Sequence, residues 1–120
     1  MTIKNALAGI AVTKLDSAIA WYSKVIGREP DSQPMPGLAE FSFDNGGWLQ
    51  LFEDTERAGK SSVTLAVNDL KGQMLVLADA GINVGDTSQT DYVATAIVKD
   101  PDGNQVVFAE PLAAENKAAR

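Results

Sequence analysis

The 120-residue chain contains no cysteine and no histidine. Without cysteine, disulfides, thiolate metal sites and thiol nucleophiles are all excluded. Without histidine, the chain lacks the usual general base at neutral pH and the most frequent protein ligand of zinc, iron, nickel and copper. The chain therefore lacks the side chains from which most transition-metal sites are built.

Positive charge is also scarce, with ten basic residues against sixteen acidic ones and a net charge of -6. This balance repels phosphate backbones and anionic membrane surfaces, so neither nucleic acid nor a membrane is an expected partner. A cationic small molecule would be attracted, although an acidic surplus also serves solubility alone. The N-terminal sequence MTIKNALAGIAV shows neither a signal-peptide pattern nor a membrane span, which predicts a cytoplasmic protein.

What is present is the composition of an ordinary globular domain, 45% hydrophobic and 22% charged. In the first half, a strand is predicted over 6–12 and an amphipathic helix, capped by Thr13 or Asp16, runs to Gly27. The prolines of the following DSQPMPG segment predict an irregular loop. Strands at 38–43 and 48–52 flank the hairpin signal Asp44-Asn45-Gly46-Gly47. Residues 53–60 read as a polar linker.

The second half repeats this order. Its predicted elements are a strand at 63–67, a helix at 70–80, and strands at 82–84, 92–98 and 105–110, with a turn at 100–104. Ile10, Val12 and Leu15 match Leu65, Val67 and Leu70 fifty-five positions later. The sequence therefore predicts a single α+β domain over 1–120, built from two βαβββ modules at 5–54 and 61–111, with a frayed or disordered tail at 112–120.

Two segments, VTKLDSAIAWYSKVIG and KDPDGNQVVFAE, resemble the vicinal oxygen chelate superfamily, which includes glyoxalase I, extradiol dioxygenases and bleomycin-resistance proteins. The resemblance implies two curved mixed sheets, each with a helix packed on it, and a cleft where strands meet around a metal held by histidine or glutamate. The four ligand positions fall on Leu7, Gln50, Ser62 and Val107. One neutral amide with leucine, serine and valine cannot hold a divalent ion, so the resemblance points to a branch without metal or other cofactor.

Strand alternation divides the predicted strands into two rows. The core row is almost entirely aliphatic and comprises Ala8, Ile10, Val12, Leu49, Leu51, Val63, Leu65, Val67, Val106 and Phe108. The open row mixes small, aromatic and polar residues and comprises Leu7, Gly9, Ala11, Trp48, Gln50, Phe52, Ser62, Thr64, Ala66, Gln105, Val107 and Ala109. Pockets for organic ligands are lined in the manner of the open row.

The candidate ligand-binding residues are therefore Trp48, Gln50, Phe52, Ser62, Thr64, Val107 and Leu7. Alternatively, the two aromatic residues fill the concavity or a subunit interface. Glu40 is a weak candidate for a catalytic base or a cation-holding group, and an exposed surface position is the competing interpretation. Trp21 and Tyr22 are interpreted as packing residues of the first helix.

Three hypotheses about function follow. The first is a homodimer that binds or sequesters a flat, cationic or amphipathic molecule, similar to bleomycin-resistance proteins in antibiotic resistance. The second is a glyoxalase-like lyase or isomerase that acts without metal and uses Glu40. The third is a non-catalytic interaction module whose small residues pack against another chain.

Overall fold

The computed structural model describes residues 2–112, so the predicted tail lies outside the described residues except for Leu112. Its elements, in chain order, are β1 Leu7–Val12, α1 Leu15–Ile26, β2 Ser32–Met35, β3 Leu38–Ser42, β4 Trp48–Glu53, β5 Ser62–Ala66, α2 Leu70–Asp79, β6 Thr87–Gln89, β7 Val93–Lys99 and β8 Gln105–Pro111. This is the predicted βαβββ order, twice. No helix within 2–112 is long and apolar enough to cross a membrane.

The strands form two four-stranded mixed sheets with the same topology, β1-β4-β3-β2 and β5-β8-β7-β6. The first and last strands of each half are parallel, and the other neighbours are antiparallel. Leu7 pairs with Trp48 in the first sheet, as Ser62 pairs with Gln105 in the second. Residues that match between the two halves of the sequence thus also hold equivalent positions in the two sheets. The predicted α+β fold is confirmed.

Each sheet buries one row of side chains. In the first half, alternate residues of β1, β3 and β4 are fully buried, as are the inward-facing residues of α1; these are Ile10, Val12, Ala39, Phe41, Leu49, Leu51, Leu15, Ala18, Tyr22 and Val25. In the second half the buried set is Val63, Leu70, Leu77, Ala96, Val98, Val106 and Phe108. The predicted core row is confirmed in most positions, although Ala8, Leu65 and Val67 are half-buried.

A carboxylate at the end of a strand accepts a hydrogen bond from the first amide of each helix, and α2 also has a local N-cap, Asp69, whose side chain accepts from the Gly72 amide. The predicted caps of α1, Thr13 and Asp16, are wrong, because Lys14 holds the cap position without a side-chain hydrogen bond. The Leu15 amide instead donates to Glu53 Oε1 at 2.9 Å. At the equivalent place in the second half, the Leu70 amide donates to Glu110 Oε1 at 2.8 Å. A carboxylate at a helix N-terminus satisfies a free N–H and complements the helix dipole.

Two local predictions are wrong. The segment expected to be an irregular loop forms β2, Ser32–Met35. It is the outer strand of its sheet, where Pro34 can be tolerated because an edge strand needs only one row of hydrogen bonds. The strand expected at 82–84 is absent, and β6 lies at Thr87–Gln89. Ile82 is instead tied to the end of α2, since its amide donates to the Leu77 carbonyl.

The predicted linker over 53–60 is structured. Glu53 ends β4, and a turn follows in which the amides of Arg57 and Ala58 donate to the Asp54 carbonyl. Gly59 in this turn has φ +85°, and a Cβ there would lie 2.5 Å from the Asp102 carbonyl oxygen. Both the backbone conformation and the close approach therefore require glycine.

The chain divides into two compact units. Of the described residues, the first unit contains 2–61 together with the turn 100–104, and the second contains 62–99 and 105–112. In the first unit Asp100 accepts a hydrogen bond from the Tyr22 hydroxyl at 2.8 Å and another from Asn104 Nδ2 at 2.9 Å. Burial and the neighbouring Asp100 carboxylate both raise the pKa of Tyr22 well above its usual value. The two ends of this turn, Asp100 and Asn104, thus form a buried polar cluster with Tyr22.

The outer edge of β1 is closed by the same cluster. Asn104 is 0% exposed, and its Nδ2 also donates to the Ala11 carbonyl at 2.8 Å. The Ala11 amide donates to Ser61 Oγ at 3.3 Å, and the Ser61 amide donates to Asn104 Oδ1 at 2.9 Å. A free strand edge is a template for unwanted pairing, so this closure protects the sheet.

Candidate functional site

The face of the first sheet opposite α1 carries the open row of that half. Strand register sets these side chains out in three lines across β1, β4 and β3: Leu7, Trp48 and Ser42; then Gly9, Gln50 and Glu40; then Ala11, Phe52 and Leu38. We call this surface the open face. Successive lines are about 7 Å apart, since a strand advances roughly 3.3 Å per residue.

The open face is partly accessible. Trp48, Gln50, Phe52 and Glu40 are all half-buried, and Leu7 is 45% exposed. Ala11 was predicted to lie on the open row, but it is buried, and its backbone is hydrogen-bonded to the side chains of Ser61 and Asn104. Four of the sequence-predicted residues therefore lie on one face of this sheet: Leu7, Trp48, Gln50 and Phe52. Glu40 lies on the same face.

A hydrogen-bonded carboxylate lies in the central line. Gln50 Nε2 donates to Glu40 Oε2 at 2.7 Å. Ser32 Oγ, from the edge strand β2, donates to Glu40 Oε1 at 3.1 Å. Each carboxylate oxygen thus has one neutral donor and retains further lone-pair capacity. The position and orientation of Glu40 are fixed from both sides.

Phe52 forms the apolar end of the open face. A Cβ added at Gly9 would lie 3.2 Å from Phe52 Cε1, so the ring leans over the space that the glycine leaves. The Arg57 guanidinium lies 5.1 Å from the ring centroid and 3.6 Å from an Asp54 oxygen. Arg57 therefore places a paired cation beside the ring.

Sequence reasoning missed Ser32 and Arg57. Ser32 was assigned to an irregular loop, and only its pairing with Glu40 across β2 and β3 brings it to the site. Arg57 was assigned to a linker. A guanidinium five residues after a strand aromatic gives no periodic signal, so the sequence offered no means of finding this contact.

In the second unit, Ser62, Thr64 and Val107 share one face of the second sheet. Thr64 pairs with Val107, and Ser62 pairs with Gln105. Ser62 and Thr64 are exposed, and Val107 is half-buried. Ala109, on the same row, is buried and departs from the prediction. These positions can offer hydroxyl groups beside small apolar surface.

The side chains at the four family ligand positions do not fit a divalent metal. Leu7 and Val107 have no donor atom, Ser62 offers a neutral hydroxyl, and Gln50 uses its amide nitrogen on Glu40. Within residues 2–112 no three acidic side chains are grouped closely enough to hold a metal ion. Divalent ions need several charged or lone-pair ligands around one point, and this donor set cannot supply them.

In each half the strands lie in the order first, fourth, third, second, and each half has one helix. This arrangement, present twice, defines the class of paired βαβββ proteins. The profile of the Glyoxalase/Bleomycin resistance protein/Dioxygenase superfamily matches residues 5–108, and the chain belongs to this superfamily. No curated protein sequence matches the chain.

Solved structures agree with this assignment. A glyoxalase/bleomycin resistance protein from Catenulispora acidiphila is 30% identical, with a TM-score of 0.82 over 90% of this chain and 98% of that one. TnmS3, an antibiotic binding protein from Streptomyces sp. CB03234, is 22% identical, with a TM-score of 0.79 over 92% of this chain and 98% of that one. The oxidase ChaP-H2 is 16% identical, with a TM-score of 0.75 over 92% and 94%. The last two likenesses concern the fold alone.

Proposed function

We propose that the protein is a metal-independent binding protein for flat organic molecules, of the kind that sequesters antibiotics. Its proposed binding surface is the open face of the first sheet. Trp48 and Phe52 would stack on the ligand, and Gln50 would supply a directional hydrogen bond. Leu7 adds apolar surface at the rim.

The observation that carries this proposal is that the polar side chains of the central line lie between two aromatic residues. The hydrogen-bonded pair Gln50 and Glu40 lies between Trp48 and Phe52 on one face, and all four side chains are half-buried. Ligand sites combine apolar walls with a few fixed polar groups in this manner. Aromatic stacking adds about 0.5 to 1.5 kcal/mol beyond area burial for each well-placed ring.

The comparisons support the same class of function. The superfamily includes bleomycin resistance proteins by name, and TnmS3 is described as an antibiotic binding protein. The poor fit of the four family positions to a divalent metal supports binding over metal-assisted catalysis. These points support sequestration without identifying the antibiotic.

The proposal extends to assembly and to the second sheet. We expect a cytoplasmic homodimer, since a single chain of this size offers little wall for a ligand. On the face of the second sheet that they share, Ser62, Thr64 and Val107 would contact a ligand through hydroxyl groups and apolar surface. Sedimentation equilibrium measures the oligomeric state directly.

Calorimetric titration with acridine, a neutral three-ring probe, tests the binding surface. We expect the wild-type protein to bind acridine and to gain thermal stability from it, because a ligand selective for the folded state raises Tm. Trp48→Leu keeps an apolar side chain but removes the ring, and it should weaken binding roughly fivefold. Phe43→Leu is the matched control, since Phe43 is a half-buried aromatic outside the open face, beside Arg28.

Absence of acridine binding, or equal losses in the two variants, would contradict the proposed surface. Thermal stabilisation by zinc, manganese or iron(II) alone would contradict metal independence.

A further inference from the structure

Resting on the proposed function, we propose that the open face selects cationic ligands and that Glu40 is the residue that determines this specificity. The carboxylate would accept a hydrogen bond from a protonated nitrogen of a flat ligand whose ring lies on Trp48 or Phe52. The substrate class is thus a planar molecule that carries an amine or amidine.

Glu40 lies between Ser32 on β2 and Gln50 on β4, and both of its carboxylate oxygens accept hydrogen bonds from these neighbouring strands. The lines that hold Trp48 and Phe52 lie on either side, about 7 Å away along the strand direction. This spacing is comparable to the width of a fused ring system, so one ligand can stack on an aromatic residue and reach the carboxylate.

The charge of Glu40 is not neutralised by its hydrogen-bond partners. The two groups that hold Glu40 are a hydroxyl and a neutral amide, so they orient the carboxylate without neutralising it. Within residues 2–112, no lysine or arginine forms an ion pair with Glu40; the ion pairs there are Arg28 with Asp31 and Arg57 with Asp54. A half-buried carboxylate without a cation is a favourable partner for a charged donor, because charge-assisted hydrogen bonds are the stronger ones.

Arg57 already lies 5.1 Å from the Phe52 ring centroid, so the position that a second cation would take beside this ring is occupied. A cationic ligand would therefore direct its charge toward Glu40 and away from Phe52. Trp48, at the other end, can add a cation–π contact to the same group.

The experiment compares two probes of one shape. At neutral pH 9-aminoacridine is a cation and acridine is neutral, and the Kd of each is measured by calorimetry at low ionic strength. We expect the wild-type protein to bind 9-aminoacridine about fivefold more tightly than acridine, the upper range for a partly exposed ion pair. Added salt should reduce this ratio.

Glu40→Gln keeps the side-chain volume and an acceptor oxygen but removes the charge, so the ratio of the two Kd values should fall to about one, whatever the affinity for acridine itself. Glu29→Gln is the matched control, because Glu29 is exposed and its substitution changes the net charge equally. It should leave the ratio unchanged. If Glu40→Gln does not fold, Glu40→Asp retains the charge but withdraws it from its position, and it should give an intermediate ratio.

The outcomes separate the two proposals. If neither probe binds the wild-type protein, the proposed binding surface fails and the specificity fails with it. If both bind with equal Kd, or if Glu40→Gln or its replacement Glu40→Asp keeps the wild-type ratio, the specificity alone is overturned. A ratio lost equally in Glu29→Gln would assign the preference to net charge and also overturn the role of Glu40.

Discussion

Asn104→Asp is expected to be among the most destabilising isosteric substitutions in the chain. Asn104 is 0% exposed, and its side-chain amide donates to the Ala11 carbonyl and to Asp100 Oδ2 at 2.8 and 2.9 Å. A carboxylate in the same place keeps the acceptor for the Ser61 amide but loses both donated hydrogen bonds. It also brings oxygen against oxygen, next to an existing carboxylate.

The magnitude follows from these contacts. The buried Ala11 carbonyl left without its donor costs about 1 to 3 kcal/mol. The Asp100 carboxylate keeps the hydrogen bond from the Tyr22 hydroxyl but loses the one from Asn104, which costs about 1.5 to 3 kcal/mol more, so the total is about 4 kcal/mol. A typical domain has a free energy of unfolding of about 5 to 15 kcal/mol, so the variant should lose a large part of it. Repulsion from Asp100 should raise the pKa of the substituted carboxyl in the folded state.

Urea unfolding, followed by tryptophan fluorescence, measures the loss. A folded-state pKa above the unfolded value means that the folded protein binds the extra proton, so the variant should recover stability as the pH is lowered from about 8 to about 5. Asn45→Asp, in the exposed hairpin turn, is the control and should change little. A loss below about 1 kcal/mol for Asn104→Asp, equal to that of a weak net hydrogen bond, would refute the reasoning.

Three further predictions concern the caps, the buried tyrosine and the open face. Glu53→Ala and Glu110→Ala should each lower the free energy of unfolding by about 1 kcal/mol, because each removes one helix cap. The raised pKa of Tyr22 means that the unfolded chain releases this proton first, so wild-type stability should fall as the pH rises above about 10, and more steeply than that of Tyr22→Phe in urea unfolding. Gly9→Ala places a methyl group 3.2 Å from Phe52 Cε1, and displacement of this ring should weaken acridine binding by about 0.5 to 1.5 kcal/mol in calorimetry while the urea midpoint changes little.

Each of these has a simple contrary result. Glu56→Ala, on an exposed turn residue, is the reference for the caps, and equal effects at all three positions would discount capping. Parallel alkaline profiles for the wild-type protein and Tyr22→Phe would show that Tyr22 does not govern that loss. Unchanged acridine affinity in Gly9→Ala would exclude the Phe52 ring from the binding surface.

The sequence was sufficient for the fold because its signals were repeated. Apolar alternation on β1, β4, β5 and β8 and the helical period of α1 each predicted an element, and the same order of elements recurred in the second half, 55 to 57 positions later. Predictions failed where a partner distant in sequence determines the structure. Pro34 argues against a strand until β2 is seen to be an edge strand that pairs only with β3, and Thr13 looks like a cap until Glu53 is seen to take that role.

In the candidate site too, local sequence signals were sufficient for some residues, and distant partners determined the others. Alternation alone placed Trp48, Gln50 and Phe52 on one face, because all three are on one strand. The role of Glu40 depended on Ser32, which is eight residues away on an edge strand that the sequence did not reveal. The buried role of Asn104 was missed because Asp-Gly-Asn is fully explained as a turn, and no local pattern indicates its contact with Ala11.

The assignment of residues 100–104 to the first unit has a consequence for the stability of that half on its own. A fragment ending at Ser61 would retain every strand and the helix of its half, yet it would leave the Tyr22 hydroxyl and the Ala11 carbonyl without their acceptor and donor. A stretch that lies late in the chain thus completes hydrogen bonds of the early half. We expect such a fragment to be less stable than the same half within the whole chain.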